Sequence, residues 1–96
     1  MRIITWRPLK EFGAKHPDAP SPLRAWYNAV SGADWSSFAD VIAYHRKASQ
    51  VGNRVVFNVG GNKYRMVVRV EYAKKLVFVR FIGTHQDYDR IDVSKA

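Results

Sequence analysis

Ninety-six residues suffice for one domain with a modest core, and not for two. Sixteen Lys and Arg against eight Asp and Glu leave a net charge of +8, with seven cations and four anions in residues 1–50 and nine and four in 51–96; this suits a polyanionic partner, and ordinary solubility as well. With no cysteine, disulfides and thiolate metal sites are excluded. His16, His45 and His85 are too scattered for metal-ligand spacing, so neither metal nor cofactor is expected. No apolar run approaches the roughly 18 residues of a membrane span. The stretch MRIITWRPLKEF lacks the unbroken apolar core of a signal peptide, and the expectation is a cytoplasmic protein with no membrane partner.

In chain order, Met1 to Trp6 is short, β-branched and apolar, and suits an edge strand. Pro8 fits the first turn of a helix that LKEFGAKH carries to a stop at Pro17. After the loop DAPSP, Ser21 is a plausible N-cap and Pro22 a first helical residue, with Leu23, Trp26, Tyr27 and Val30 at helical spacing. Ser31-Gly32 ends that helix. Ser36 or Ser37 caps the next, which carries Phe38, Val41, Ile42 and His45 on one stripe; His16 and His45 read as helix-surface or helix-end residues. The pattern changes at Val51-Gly52-Asn53. Three strands follow with period two, over Arg54–Val59, Lys63–Tyr72 and Leu76–His85, joined by loops at Gly60-Gly61 and Ala73–Lys75 that are short enough for hairpins. Asp87 to Ala96 is a polar tail with room for one short turn or helix. The fold class expected is α+β: a single domain, residues 1–96, with N-terminal helices packed on an antiparallel sheet made of a three-stranded C-terminal meander plus the N-terminal edge strand.

Treating Gly60-Gly61 as a two-residue turn pairs Phe57 with Tyr64 and Val55 with Met66; a three-residue loop at Ala73–Lys75 pairs Val70 with Phe78 and Met66 with Ile82. Apolar then meets apolar, so Val55, Phe57, Tyr64, Met66, Val68, Val70, Phe78 and Ile82 form the core face. Arg80 is the one discordant member. The other face carries Arg54, Asn58, Lys63, Arg65, Arg69 and His85, with Val77, Val79 and Phe81 among them. A wet face with scattered charges is common in antiparallel sheets. Cations on adjacent hairpins repel one another, however, and a bound polyanion relieves that repulsion.

The stretches FNVGGNKYR and FIGTHQDYDRID, separated by a two-strand hairpin, resemble the HigB-type toxins of bacterial type II toxin–antitoxin modules, within the wider RelE-like group. The resemblance covers nearly the whole chain. It implies a RelE-like fold and a small basic endoribonuclease, an mRNA interferase that cuts mRNA on the translating ribosome and so inhibits translation. It implies a helix-turn-helix antitoxin of HigA type as partner, with operator DNA bound only through the toxin–antitoxin complex. Arg65 resembles the family's arginine on the scissile phosphate. His85 lies where the group varies its general acid or base. Tyr88 and Asp89 fall on the segment that often carries another active-site residue, and Lys63 is an electrostatic helper. The catalytic candidates are therefore Arg65, His85 and Tyr88; the RNA-binding candidates are Arg54, Asn58, Lys63, Arg69 and Asp89. The paired lysines that some RelE-like enzymes place before the arginine strand are missing here.

RNA cleavage without a metal requires an in-line 2′-hydroxyl, stabilisation of the phosphorane and a proton for the leaving 5′-oxygen. Arginine binds two phosphate oxygens at once, and histidine moves protons near neutral pH. A strand-end histidine bonded to Asp87 or Asp89 is the structural alternative for His85. A non-catalytic nucleic-acid-binding module, or a subunit meeting an acidic protein, would use the same basic face.

Overall fold

The computed structural model describes residues 1–96. Strand β1 (Arg2–Ile4) is followed by α1 (Arg7–Lys15), α2 (Pro20–Ser31) and α3 (Phe38–Tyr44), then β2 (Ser49–Val51), β3 (Arg54–Val59), β4 (Tyr64–Glu71) and β5 (Leu76–Thr84). A short helix α4 (His85–Asp89) and a 3₁₀ turn (Val93–Lys95) complete the chain. The five strands form one sheet in the order β1-β5-β4-β3-β2, with β1 parallel to β5 and every other pair antiparallel. Helix α1 packs on β5 and α2, and α2 packs on β1 and β3.

Prolines set where the helices begin. Pro8 and Pro20 occupy first-turn positions, where the missing N–H costs nothing. The second helix starts at Pro20, so Ala19 is its N-cap and Ser21 lies inside it. Helix α1 ends at Lys15 because His16, preceding Pro17, is extended at φ −127°. Ser37 caps α3 with its backbone only; Asp40 reaches back to accept from the Ser36 N–H at 2.8 Å. His45 falls just beyond α3. The expected break at Val51-Gly52-Asn53 is instead a hairpin turn: Gly52 takes a positive φ of 59°, and Val51 pairs with Arg54.

The meander is present with two changes of register. Val59 pairs with Tyr64, not Asn62, so the first loop spans residues 60–63. The displacement is two residues, one full period of side-chain alternation, and the faces stay as expected. Val55, Phe57, Val59, Tyr64, Met66, Val68 and Val70 are all buried in one cluster with Leu9, Leu23, Trp26 and Val30 of the helices.

The second change inverts faces. Val67 pairs with Phe81 but Val68 pairs with Val79, so Arg80 is an extra residue bulged from β5. Below it the alternation is reversed: Val77 and Val79 are buried in the core, while Phe78 turns to the opposite face. This corrects the assignment of those three residues and explains the discordant Arg80, which is exposed because a bulged residue leaves the ladder.

Candidate active site

Arg65 and Asn58 are direct partners across β3 and β4, and Arg54 likewise faces Arg69. These four expected residues share one face of the sheet. The face is not an open basic plate. Val56, Val67 and Phe81 form a cross-strand row on it, and Val56 and Val67 are buried outside the main core cluster. Helix α4 packs against β4 and β5 there. The chain after α4 returns across the sheet, and the Ala96 carbonyl accepts from Arg54 Nε at 2.9 Å and Arg80 Nε at 3.4 Å.

Helix α4 is set by its first turn. Thr84 is the N-cap: its hydroxyl accepts from the Asp87 N–H and the Asp87 carboxylate accepts from the Thr84 N–H, each at 3.2 Å. This capping box engages Asp87, so the alternative in which Asp87 holds His85 does not occur. His85 is the first residue of α4, not the last of β5. Its Nε2 is buried and has no hydrogen-bond partner. One turn on, Tyr88 presents its ring to Arg65, whose guanidinium carbon lies 5.1 Å from the ring centroid. Arg65 Nε is also buried without a partner. Buried polar atoms without partners are rare in folded proteins, and two of the four in this chain belong to Arg65 and His85.

Gly83 makes this approach of helix to strand. It lies directly across from Arg65. A Cβ there would stand 2.7 Å from the end of the Phe81 ring and 2.9 Å from Asp87 Cβ, so only glycine lets α4 close down on the sheet.

The remaining candidates divide. Arg69 lies over the Phe78 ring at 4.5 Å and pairs with Glu71 at 3.3 Å. Asp89 is exposed and makes no hydrogen bond or ion pair with another side chain. Lys63 is placed elsewhere. It sits in the β3–β4 loop and forms an ion pair with Asp18, which also accepts from the Tyr64 hydroxyl. The bonds donated by Lys63 and then Tyr64 hold the Asp18 carboxyl below its usual range, and Asp18 in turn raises both Lys63 and Tyr64. Lys63 does not join the basic face as expected, because the longer loop carries it outward, toward the chain between α1 and α2.

Sequence reasoning missed the surroundings of His45. The imidazole is half-buried beside Phe57, with ring centroids 5.0 Å apart, and beside Trp35 at 5.9 Å; burial pushes its pKa down. A histidine following an apolar helical stripe was the available signal.

Helices on one face of a mixed sheet, with an arginine-centred site beneath a C-terminal helical turn on the other, define a small α+β domain with a basic site. The family model described as "HigB_toxin, RelE-like toxic component of a toxin-antitoxin system" matches residues 19–91, and the chain belongs to that family. It is 27% identical over 94 residues to the mRNA interferase HigB of Escherichia coli O6:H1 strain CFT073, covering 95% of this chain and 91% of that protein. It is 29% identical over 92 residues to the mRNA interferase toxin HigB of Escherichia coli K12, covering 93% of this chain and 88% of the relative.

Proposed function

We propose that this toxin is an mRNA interferase, an endoribonuclease that cuts mRNA at Arg65 and thereby inhibits translation. The observation that carries the reading is the state of Arg65. Its guanidinium rests on Tyr88, its Nε is buried without a partner, and no carboxylate pairs with it. An arginine held in place and left unpaired suits a phosphate. Its fork supplies two donors to the non-bridging oxygens, and donors already in place stabilise the charge that grows on the phosphorane. One such donor typically contributes on the order of 2–4 kcal/mol.

The 2′-hydroxyl attacks the adjacent phosphorus in line, and the P–O5′ bond breaks. A 2′,3′-cyclic phosphate and a 5′-hydroxyl result. His85, the first residue of α4, moves the proton at one end of this line. Tyr88 seats Arg65. Arg54, Asn58 and Arg69 hold neighbouring RNA, and Asp89 stands at the edge of the site. Lys63, committed to Asp18, is left out of this groove. The ribosome is the proposed setting, a HigA-type helix-turn-helix antitoxin the proposed neutralising partner, and the cytoplasm the proposed compartment.

The test is primer extension on a reporter mRNA in an active bacterial translation extract. Wild type should produce discrete new 5′ ends, and Arg65→Ala and His85→Ala should strongly reduce them. Intact mRNA at every concentration, with RNA still bound in a salt-sensitive way, would replace the enzyme with a non-catalytic binding module.

A further inference from the structure

A second surface of the molecule presents an exposed aromatic ring beside open clefts. Strand β2 begins only at Ser49, opposite Val56, so the outer edge of β3 has no strand beside it from Phe57 onward. Two clefts of about 290 and 250 Å³ lie along this free edge, and Tyr44, His45 and Asn58 line both. Tyr44 is 74% exposed, far more than any other large apolar or aromatic side chain. Its position is supported from within. The Tyr44 ring lies 5.0 Å from His45, which in turn packs on Phe57 and Trp35 of the core. A chain of rings thus runs from the hydrophobic core to an open aromatic surface.

Charge lies beside it. Arg46 and Lys47 follow immediately, line the larger cleft and belong to none of the four ion pairs in the chain. Asn58 contributes an amide that makes no hydrogen bond, and it stands directly across the ladder from Arg65, about 5 Å away at the Cα atoms. An exposed ring, two unpaired cations and an unengaged amide next to the proposed phosphate site match the needs of single-stranded RNA. Bases stack on aromatic rings whatever their sequence, and cations follow the backbone.

We propose that Tyr44, His45 and Asn58, with Arg46 and Lys47 at the rim, form a subsite for one unpaired nucleotide of the RNA. Its base lies on Tyr44, and its phosphate meets the two cations. The inference rests on the RNA-cleaving reading above and extends it: the bound strand runs from Arg65 past Asn58 and over the free edge of β3. His45, held neutral by burial, keeps a ring nitrogen able to accept from a base.

The test uses a short, single-stranded 2′-O-methyl RNA, which lacks the attacking hydroxyl, carrying 2-aminopurine at one position moved along the strand. Wild type should quench the probe at one position. Tyr44→Ala should remove the quench and weaken binding about tenfold, within the range of a lost base stack, and Tyr44→Trp should restore both. Arg46→Ala with Lys47→Ala should lower the salt dependence by about two charges. Because Tyr44 is exposed, its variants should melt with wild type. Equal binding by Tyr44→Ala overturns the subsite while leaving cleavage intact. So does cleavage in extract without any binding of this RNA at low salt. Unchanged RNA binding with weakened capture of the antitoxin would make the surface a protein interface. Neither binding nor cleavage by wild type would remove the nuclease reading and the subsite with it.

Discussion

Replacing Tyr88 by Ala and by Phe separates two roles open to a tyrosine in a nuclease: seating the arginine and transferring a proton. The ring lies 5.1 Å from the Arg65 guanidinium carbon, inside the range of a cation–π contact, and the Tyr88 hydroxyl has no hydrogen-bond partner on another residue. Such a contact contributes roughly 0.5–1 kcal/mol when exposed and about 2 when desolvated. Arg65 Nε is buried, which favours the upper part of that range, and about 1–2 kcal/mol corresponds to a 5- to 30-fold rate effect. Tyr88→Ala should therefore lower cleavage about tenfold, and Tyr88→Phe, which keeps the ring, by no more than about twofold. A proton-transferring hydroxyl would instead be worth on the order of 10²–10⁴. The assay is the initial rate of reporter cleavage in translation extract for the two single variants, and again with Arg65→Lys present. If the ring acts through the guanidinium, the loss from Tyr88→Ala should shrink in the Arg65→Lys background. A fall of a hundredfold or more in Tyr88→Phe would refute this reasoning and make the hydroxyl a catalytic acid or base.

Gly83→Ala should force α4 away from β5, because the new methyl meets Asp87 Cβ at 2.9 Å within the capping box. Overpacking of this kind costs about 1–3 kcal/mol. The melting temperature should fall by roughly 5–20 °C, with a marked loss of cleavage as His85 and Tyr88 move; an unchanged melting curve would show that α4 does not depend on this glycine. His45 makes stability depend on pH. Burial lowers its folded pKa below the ordinary 6.5, so the unfolded chain takes up the proton first, and stability should be fully present above about pH 6.5 and decline as pH falls toward the folded value. Between pH 8 and pH 5.5, wild type should therefore lose more stability in urea melts than His45→Leu does, and equal losses would exclude the effect.

Much of the architecture was legible because a sheet with one buried face writes its pattern at period two. An error of one whole period, at Gly60-Gly61, left every side chain that remained within the paired strands of the first hairpin on the expected face. The bulge at Arg80 was not legible in that way, since a half-period slip looks like a discordant residue until the partner strand is seen. Strand β2 escaped notice because Ser49-Gln50-Val51 is short and exposed. The parallel pairing of β1 depends on contacts more than seventy residues away in sequence. The arginine site was half visible: alternation put Arg65, Asn58, Arg54 and Arg69 together. Its closure by Tyr88 needed the turn at Thr84. Lys63 was misplaced because two residues of loop moved it off the sheet, and the free edge of β3 beside Tyr44 depends on how late β2 begins, which composition does not encode.

The extra residue in β5 has a genetic consequence. Removing one codon from the middle of a strand ordinarily inverts all that follows, and such losses are expected to be lethal to folding throughout β3 and β4. Position 80 is different. Without Arg80, Val79 would run directly into Phe81, and Val77, Val79 and Ile82 would alternate regularly with Phe78, Phe81 and Gly83 against an unchanged β4. A library of single-residue deletions should therefore show one tolerated site within the long strands. Selection for survival of the host cell, which favours toxins that have lost activity, would distinguish a deletion that keeps a folded but straightened strand from one that destroys it.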